Sequence, residues 1–202
     1  MKVLKDEIRD AIVNSAKEEF FKKGYERSSM RSIAKGTNTT VGNIYKYFVN
    51  KEALFSHILD PITLELENLI NHHDDELEPG DHSSIDQLIE QQGAILIDLV
   101  KKSRIELLIL MYGSEGSKFK GIKDQLVSLL SQGTKKHLIS YYSRSNGSVT
   151  GPVPVDPLAY ALAQSFFEGI FTLIRNSSNP EEIEKSGIEL IKLFFNGFKT
   201  IL

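Results

Sequence analysis

Residues 28–55 read SSMRSIAKGTNTTVGNIYKYFVNKEALF and decide how the chain is understood. They predict two short helices around a tight turn, followed by a lysine that opens a third helix. Ile33 and Ala34 give the first helix an apolar face, with Arg31 and Lys35 left to solvent. Gly36, Thr37, Asn38 and Thr39 interrupt the pattern, and Asn38 is the residue best suited to the left-handed backbone of a sharp turn. Thr40 then caps a new helix. In it Ile44, Tyr45 and Phe48 are expected to face inward, while Val41, Gly42, Asn43, Lys46 and Tyr47 face out. A short exposed helix held steeply by its predecessor suits the major groove of duplex DNA, and small residues at its start allow close approach to base edges.

The surroundings extend the pattern. Upstream lie Ile12, Ala16, Phe20, Gly24 and Tyr25; within it are Ser29, Ile33, Ala34, Gly42, Ile44, Tyr45 and Phe48; it closes on Lys51-Glu52-Ala53-Leu54-Phe55. In type and in gap-free spacing, this set resembles the DNA-binding domain of the TetR family of bacterial transcriptional regulators, over roughly the first quarter of the chain. Two positions depart from the family pattern. Asn38 stands where a turn glycine is usual, and Thr39 where a buried valine is usual, bringing a hydroxyl near the small core.

The resemblance implies a division into a helix-turn-helix DNA-binding domain, residues 1–50, and an effector-binding and dimerisation domain, residues 51–202. It also implies roles for individual residues. Thr40 would cap the recognition helix and bond a phosphate, while Val41, Gly42 and Asn43 would face base edges. Asn43 suits a bidentate bond to adenine, and Val41 a thymine methyl. Lys46 would read a base or neutralise a phosphate. Tyr45 and Tyr47 would place hydroxyls on the backbone, and Ser29 and Arg31 would act there from the preceding helix. Lys51 would add its charge to a helix N-terminus at a phosphate.

Composition is consistent with this. The chain has 202 residues, 41% hydrophobic and 25% charged, as in ordinary globular proteins. It contains no cysteine, which excludes disulfides, thiolate chemistry and cysteine-ligated zinc. No uninterrupted apolar run reaches membrane-spanning length, and MKVLKDEIRD lacks the apolar stretch of a secretory signal, so a cytoplasmic location is the expectation. Residues 1–55 hold 11 Lys+Arg against 7 Asp+Glu, net +4; residues 56–202 hold 13 against 20, net −7, and together they make the overall −3. A basic head on an acidic body suits a protein that presents one end to nucleic acid.

The rest reads as all-α, with about nine helices in total. Ile8, Ile12, Ala16 and Phe20 mark a helix over about 5–23, ended by Gly24. A helix from Lys51 past Leu69 is expected to bend or break at Pro61. The tract HHDDELEPGDHSS, 72–84, reads as a linker; its histidines and aspartates have metal-ligand chemistry, but polar linkers commonly look this way, and no metal or other cofactor is expected. Helices follow over 85–102, 105–112 and 122–142, then a Gly/Pro/Ser-rich loop over 145–156. Asp156-Pro157 and Asn179-Pro180 each read as a cap with proline at the first helical position.

The last two helices are apolar on more than one side, and a helix that hides two faces needs two neighbours. With a TetR-like head, the expectation is a two-fold four-helix bundle between protomers. Phe167, Ile170, Phe171, Ile174, Ile191, Phe194, Phe195 and Phe198 would form its interface. The resemblance further implies a small effector in the body, of hydrophobic or amphipathic character. Candidate polar contacts on otherwise apolar faces are Gln92, Glu106, Tyr112, Tyr141, Gln164 and Glu168.

The leading reading is a homodimeric repressor that binds a palindromic operator and is released by a small molecule. The alternative is a small-molecule binding protein that has lost DNA affinity. No Gly-rich phosphate loop, nucleophile elbow or HExxH supports an enzyme.

Overall fold

A computed structural model describes residues 2–72, 82–144 and 153–199, and the side chains of 6–71, 91–140, 142–143 and 153–197. The 73–81 portion of the polar linker, with most of its histidines and aspartates, falls outside the described residues, as does 145–152 of the second loop. The described residues form nine helices and no strand: α1 Lys2–Arg27, α2 Met30–Gly36, α3 Val41–Ile44, α4 Lys51–His72, α5 His82–Lys102, α6 Arg104–Tyr112, α7 Ile122–Arg144, α8 Val155–Asn176 and α9 Pro180–Lys199. By packing, the chain falls into two units: Met1–Glu65 with Ser103–Lys123, and Leu66–Lys102 with Asp124–Leu202. This partition differs from the functional division at 50/51, which stays a proposal.

The first unit is built on α1. Ile12, Ala16 and Phe20 recur at spacing four and are completely buried. Phe20 meets Phe55 of α4 edge-on at 4.7 Å between ring centres, and Phe55 meets Phe119 at 5.8 Å. α6 packs on α1, and Lys17 pairs there with Glu106. The expected end of α1 at Gly24 is instead a kink: Gly24 takes φ 72°, ψ 168°, and helix resumes to Arg27. That backbone turn frees the Tyr25 N–H to donate to the Gly113 carbonyl at 2.7 Å, so the loop after α6 is stitched to the end of α1. Burial, with an added hydrogen bond to Glu52, pushes the Tyr25 hydroxyl pKa up to about 12.

Of the bend or break expected at Pro61, the break does not occur, and α4 continues through it. Pro61 lies on the exposed side, where water can reach the carbonyl that proline's missing N–H leaves over. α8 starts at Val155 with Pro154 as its cap, so Asp156 is not the cap and Pro157 sits at the third helical position. Proline is tolerated there because the first four N–H groups of a helix have no partner within it. The Asp156 carboxylate meets Lys135 at 2.5 Å instead. At α9 the expected cap is present: Asn179 Oδ1 accepts from Glu181 N at 2.9 Å, with Pro180 as the first helical residue.

In the second unit α9 lies against both α5 and α8. Glycines admit the close approach. A Cβ at Gly93 of α5 would meet Ile191 at 3.3 Å, and one at Gly169 of α8 would meet Leu190 at 2.9 Å. Of the expected interface residues, Phe167, Ile170, Phe171, Ile174 and Ile191 are buried within this single chain, which leaves little of their surface for a second copy. The first four belong to a buried stripe of α8 formed by Ala159, Ala163, Phe167, Ile170, Phe171 and Ile174. Phe194 and Phe195 are half-buried, and the side chain of Phe198 is outside those described. α8 is also, among the described residues, the one helix long and apolar enough to cross a membrane.

Gly24→Ala forces a side chain into a backbone region that is nearly glycine-only, at a cost of about 1–3 kcal/mol. Urea unfolding of the variant is expected to show that loss, and unchanged stability would contradict the kink as described.

Candidate nucleic-acid interface

The candidate interface is a short helix displayed by a small core. α2 starts at Ser29, whose hydroxyl accepts from Ser32 N at 3.1 Å while Ser32 Oγ takes the Ser29 N–H at 3.3 Å. Serine thus stands where a capping box ordinarily has Glu or Gln. Ser32 also donates to Glu19 of α1 at 2.5 Å, and Ser15 Oγ donates to the Ile33 carbonyl at 3.0 Å. Burial pushes the Glu19 carboxyl up, but the Ser32 hydroxyl together with Lys23 and Lys22 holds it below its usual range. α2 is therefore pinned to α1 by polar bonds as well as by buried Met30, Ile33 and Ala34.

The turn reverses at Asn38, the one described non-glycine residue with positive φ, at 51°. The Thr39 N–H then returns to the Ala34 carbonyl at 3.2 Å. Thr40 caps α3, its hydroxyl accepting from Asn43 N at 3.1 Å. The helix makes one α-turn and then tightens: Lys46 N bonds Asn43 O at 3.2 Å and Tyr47 N bonds Ile44 O at 2.9 Å. Tightening changes the phase of the last residues. Tyr45, expected inward, is 49% exposed, and Tyr47, expected outward, is half-buried. Ile44 and Phe48 supply the buried face.

Outward lie Thr40, Gly42, Tyr45 and Lys46, with Val41 and Asn43 half-exposed. Nothing approaches within 4 Å of the space a Cβ would occupy on Gly42, so the backbone there is bare on its outer side. Ser29 and Arg31 are exposed at the start of α2, and among the described residues no ion pair engages Arg31 or Lys46.

Lys51 is used differently from the expectation. Its ammonium donates to the Tyr25 carbonyl at 2.6 Å and the Ser28 carbonyl at 3.0 Å, with Glu26 O at 3.5 Å. It also sits 4.0 Å over the Tyr25 ring. Burial holds its pKa below the usual lysine value. The charge is committed inside the chain, sealing the end of α1. α4 is capped by Asn50, whose Oδ1 accepts from Ala53 N at 2.7 Å, a role legible in the Asn-Lys-Glu order but not assigned from it. Thr39 likewise has a role that its sequence context does not announce. Its hydroxyl is no intrusion into the core, because it accepts from Asn43 Nδ2 at 2.9 Å.

Residues 12–58 match the family model described as "Bacterial regulatory proteins, tetR family". That segment carries the TetR-family signature. Solved structures of TetR regulators share its fold along nearly the whole length. A TetR-family transcriptional regulator from Bordetella parapertussis 12822 aligns with TM-score 0.61 at 17% identity, covering 96% of this chain and 97% of its own. A TetR-like regulator from Rhodococcus sp. RHA1 aligns with TM-score 0.60 at 17% identity, covering 95% and 96%. NalD, the secondary repressor of the MexAB-OprM multidrug efflux pump in Pseudomonas aeruginosa, aligns with TM-score 0.55 at 22% identity, covering 96% of each. The match over 12–58, together with the shared fold, supports a DNA-binding transcriptional regulator.

The expected effector contacts are divided between the two units. Glu106 and Tyr112 belong to the first unit, and Glu106 is paired with Lys17. Gln92, Gln164 and Glu168 belong to the second, where Gln164 donates to Glu168 at 3.3 Å along α8. The Tyr141 side chain is not among those described.

Lys51→Met leaves two or three carbonyls without their donor and is expected to destabilise by about 1–3 kcal/mol in urea unfolding. Lys46→Met, at an exposed position, should stay within about 0.5 kcal/mol of the parent. Equal effects from both would contradict the seal.

Proposed function

We propose that the protein is a homodimeric repressor whose two α3 helices read a palindromic operator and whose release is driven by a small molecule. The observation that carries this reading is the bare outer side of α3 at Gly42, flanked by Val41, Asn43, Tyr45 and Lys46, whose cation no ion pair engages among the described residues. A helix of that kind fits the major groove, where side chains and backbone reach base edges. In the contact scheme, Val41, Gly42 and Asn43 face bases. Ser29, Arg31, Thr40, Tyr45, Lys46 and Tyr47 serve phosphates or, for Lys46, a base. Lys51 contributes through the start of α4 rather than through its ammonium. NalD, described as a repressor, supports the repressing sense.

Dimerisation is supported by what α8 and α9 leave uncovered. Phe166, Phe194 and Phe195 form a half-buried aromatic cluster, with ring centres 4.8 Å apart for Phe166–Phe194 and 5.8 Å for Phe194–Phe195. Leu193 beside them is 72% exposed. An apolar strip of this sort on two adjacent helices suits an isologous four-helix contact with a second copy. A two-fold axis there would give the operator its palindromy. The effector must bind more tightly to the arrangement in which the two heads are wrongly spaced, since a ligand without differential affinity shifts nothing.

Selection of DNA from a random duplex pool, followed by sequencing, tests this. The expected yield is an inverted repeat with half-site centres about 10 base pairs, or a multiple, apart. Each retained duplex should carry an even number of chains. A pool that stays random would support the small-molecule binding alternative, and a single half-site bound by one chain would contradict the dimer.

A further inference from the structure

Asn43 does not carry its amide freely. Its Nδ2 donates to Thr39 Oγ1 at 2.9 Å, one helical turn back, while its own N–H is held by Thr40. Thr39 in turn is fixed to the core: its N–H bonds the Ala34 carbonyl at 3.2 Å, Ala34 is buried, and the left-handed Asn38 sets the turn between them. The chain of support runs from the buried end of α2, through the threonine backbone, to a side-chain amide at the edge of the exposed face.

From this we infer that Thr39 is a positioning residue for base recognition, holding the amide plane of Asn43 in the orientation in which it meets a base edge. The inference rests on the proposed DNA-reading role of α3. An Asn amide has two N–H donors and a carbonyl with two lone pairs. The bond to Thr39 takes one N–H. One N–H and Oδ1 remain, which are the donor and acceptor that the N7/N6 edge of adenine requires. Without the hydroxyl the amide turns about its last bond, since such terminal torsions have broad minima. It then presents donor and acceptor in several senses, and discrimination between bases falls. Valine has nearly the same shape as threonine but offers no acceptor, so Thr39→Val removes the bond while leaving the turn filled. It also restores the residue usual in the TetR pattern at this position. In this chain the hydroxyl is a specificity device rather than a packing defect.

The test is base preference measured by random-pool selection and competition binding for the parent, Thr39→Val, Thr39→Ser, Asn43→Ala and the Thr39→Val/Asn43→Ala double variant. Ordering one side chain on binding is worth about 0.5–1.5 kcal/mol, so Thr39→Val should lose roughly three- to tenfold in preference at one base-pair position of each half-site. Other positions and the melting temperature should change little. Thr39→Ser keeps the acceptor and should retain the parental preference. In the Asn43→Ala background, Thr39→Val should cause no further change, because the group it orients is gone. An unchanged profile for Thr39→Val, a uniform loss across all sequences, or a profile change that persists without Asn43 would each overturn the assignment. A parent protein that enriches no DNA would overturn the regulator reading itself, and this assignment with it; a parent that selects DNA while Thr39→Val behaves identically overturns this assignment alone.

Discussion

The Lys51 ammonium seated on the last carbonyls of α1 is the interaction on which the head of the molecule depends. A helix end leaves carbonyls without partners, and burying them is costly unless a donor is supplied. Here a cation from the first residue of α4 supplies it, reaching Tyr25 and Ser28 and resting over the Tyr25 ring. Three elements meet at that point. α1 ends there after the Gly24 kink, α4 begins there, and the loop after α6 is tied in by the Tyr25–Gly113 backbone bond. The start of α2 follows one residue beyond Ser28, so the position of α2 and α3 is inherited from this junction.

From the junction outward, order passes through small and specific bonds. Ser32 to Glu19 and Ser15 to Ile33 fasten α2 along α1, and the Thr39–Ala34 bond closes the turn. What emerges is a helix of four residues with Gly42 bare on its outer side. So short a helix has little stability of its own, and its conformation is held by tertiary support rather than by propensity. An element held from behind can leave its outer surface free of contacts.

Much of this was legible in the chain before any coordinates. Period-four apolar residues located α1, turn chemistry located Asn38, and Thr40 stood out as a cap. Side-chain bonds between distant segments were less accessible. Nothing local in the sequence says that a lysine opening one helix will turn back to seal another 23 to 26 residues earlier. A 3.6-residue period misplaces Tyr45, which is exposed, and Tyr47, which is half-buried, because the segment tightens after one turn. The apolar character of α8 on more than one side does not by itself say what covers each face. Phe167, Ile170, Phe171, Ile174 and Ile191 are buried within the single chain, while Phe166, Phe194 and Phe195 are half-buried. Amphipathicity counts faces; it does not say which neighbour hides each one.

Amide hydrogen exchange on the protein with and without a selected DNA duplex tests the central claim most directly. The account predicts that bound DNA slows exchange at residues 29–31 and 40–47 and leaves α8 little changed by the duplex itself. Unaltered exchange through 40–47 alongside strong protection elsewhere would contradict it.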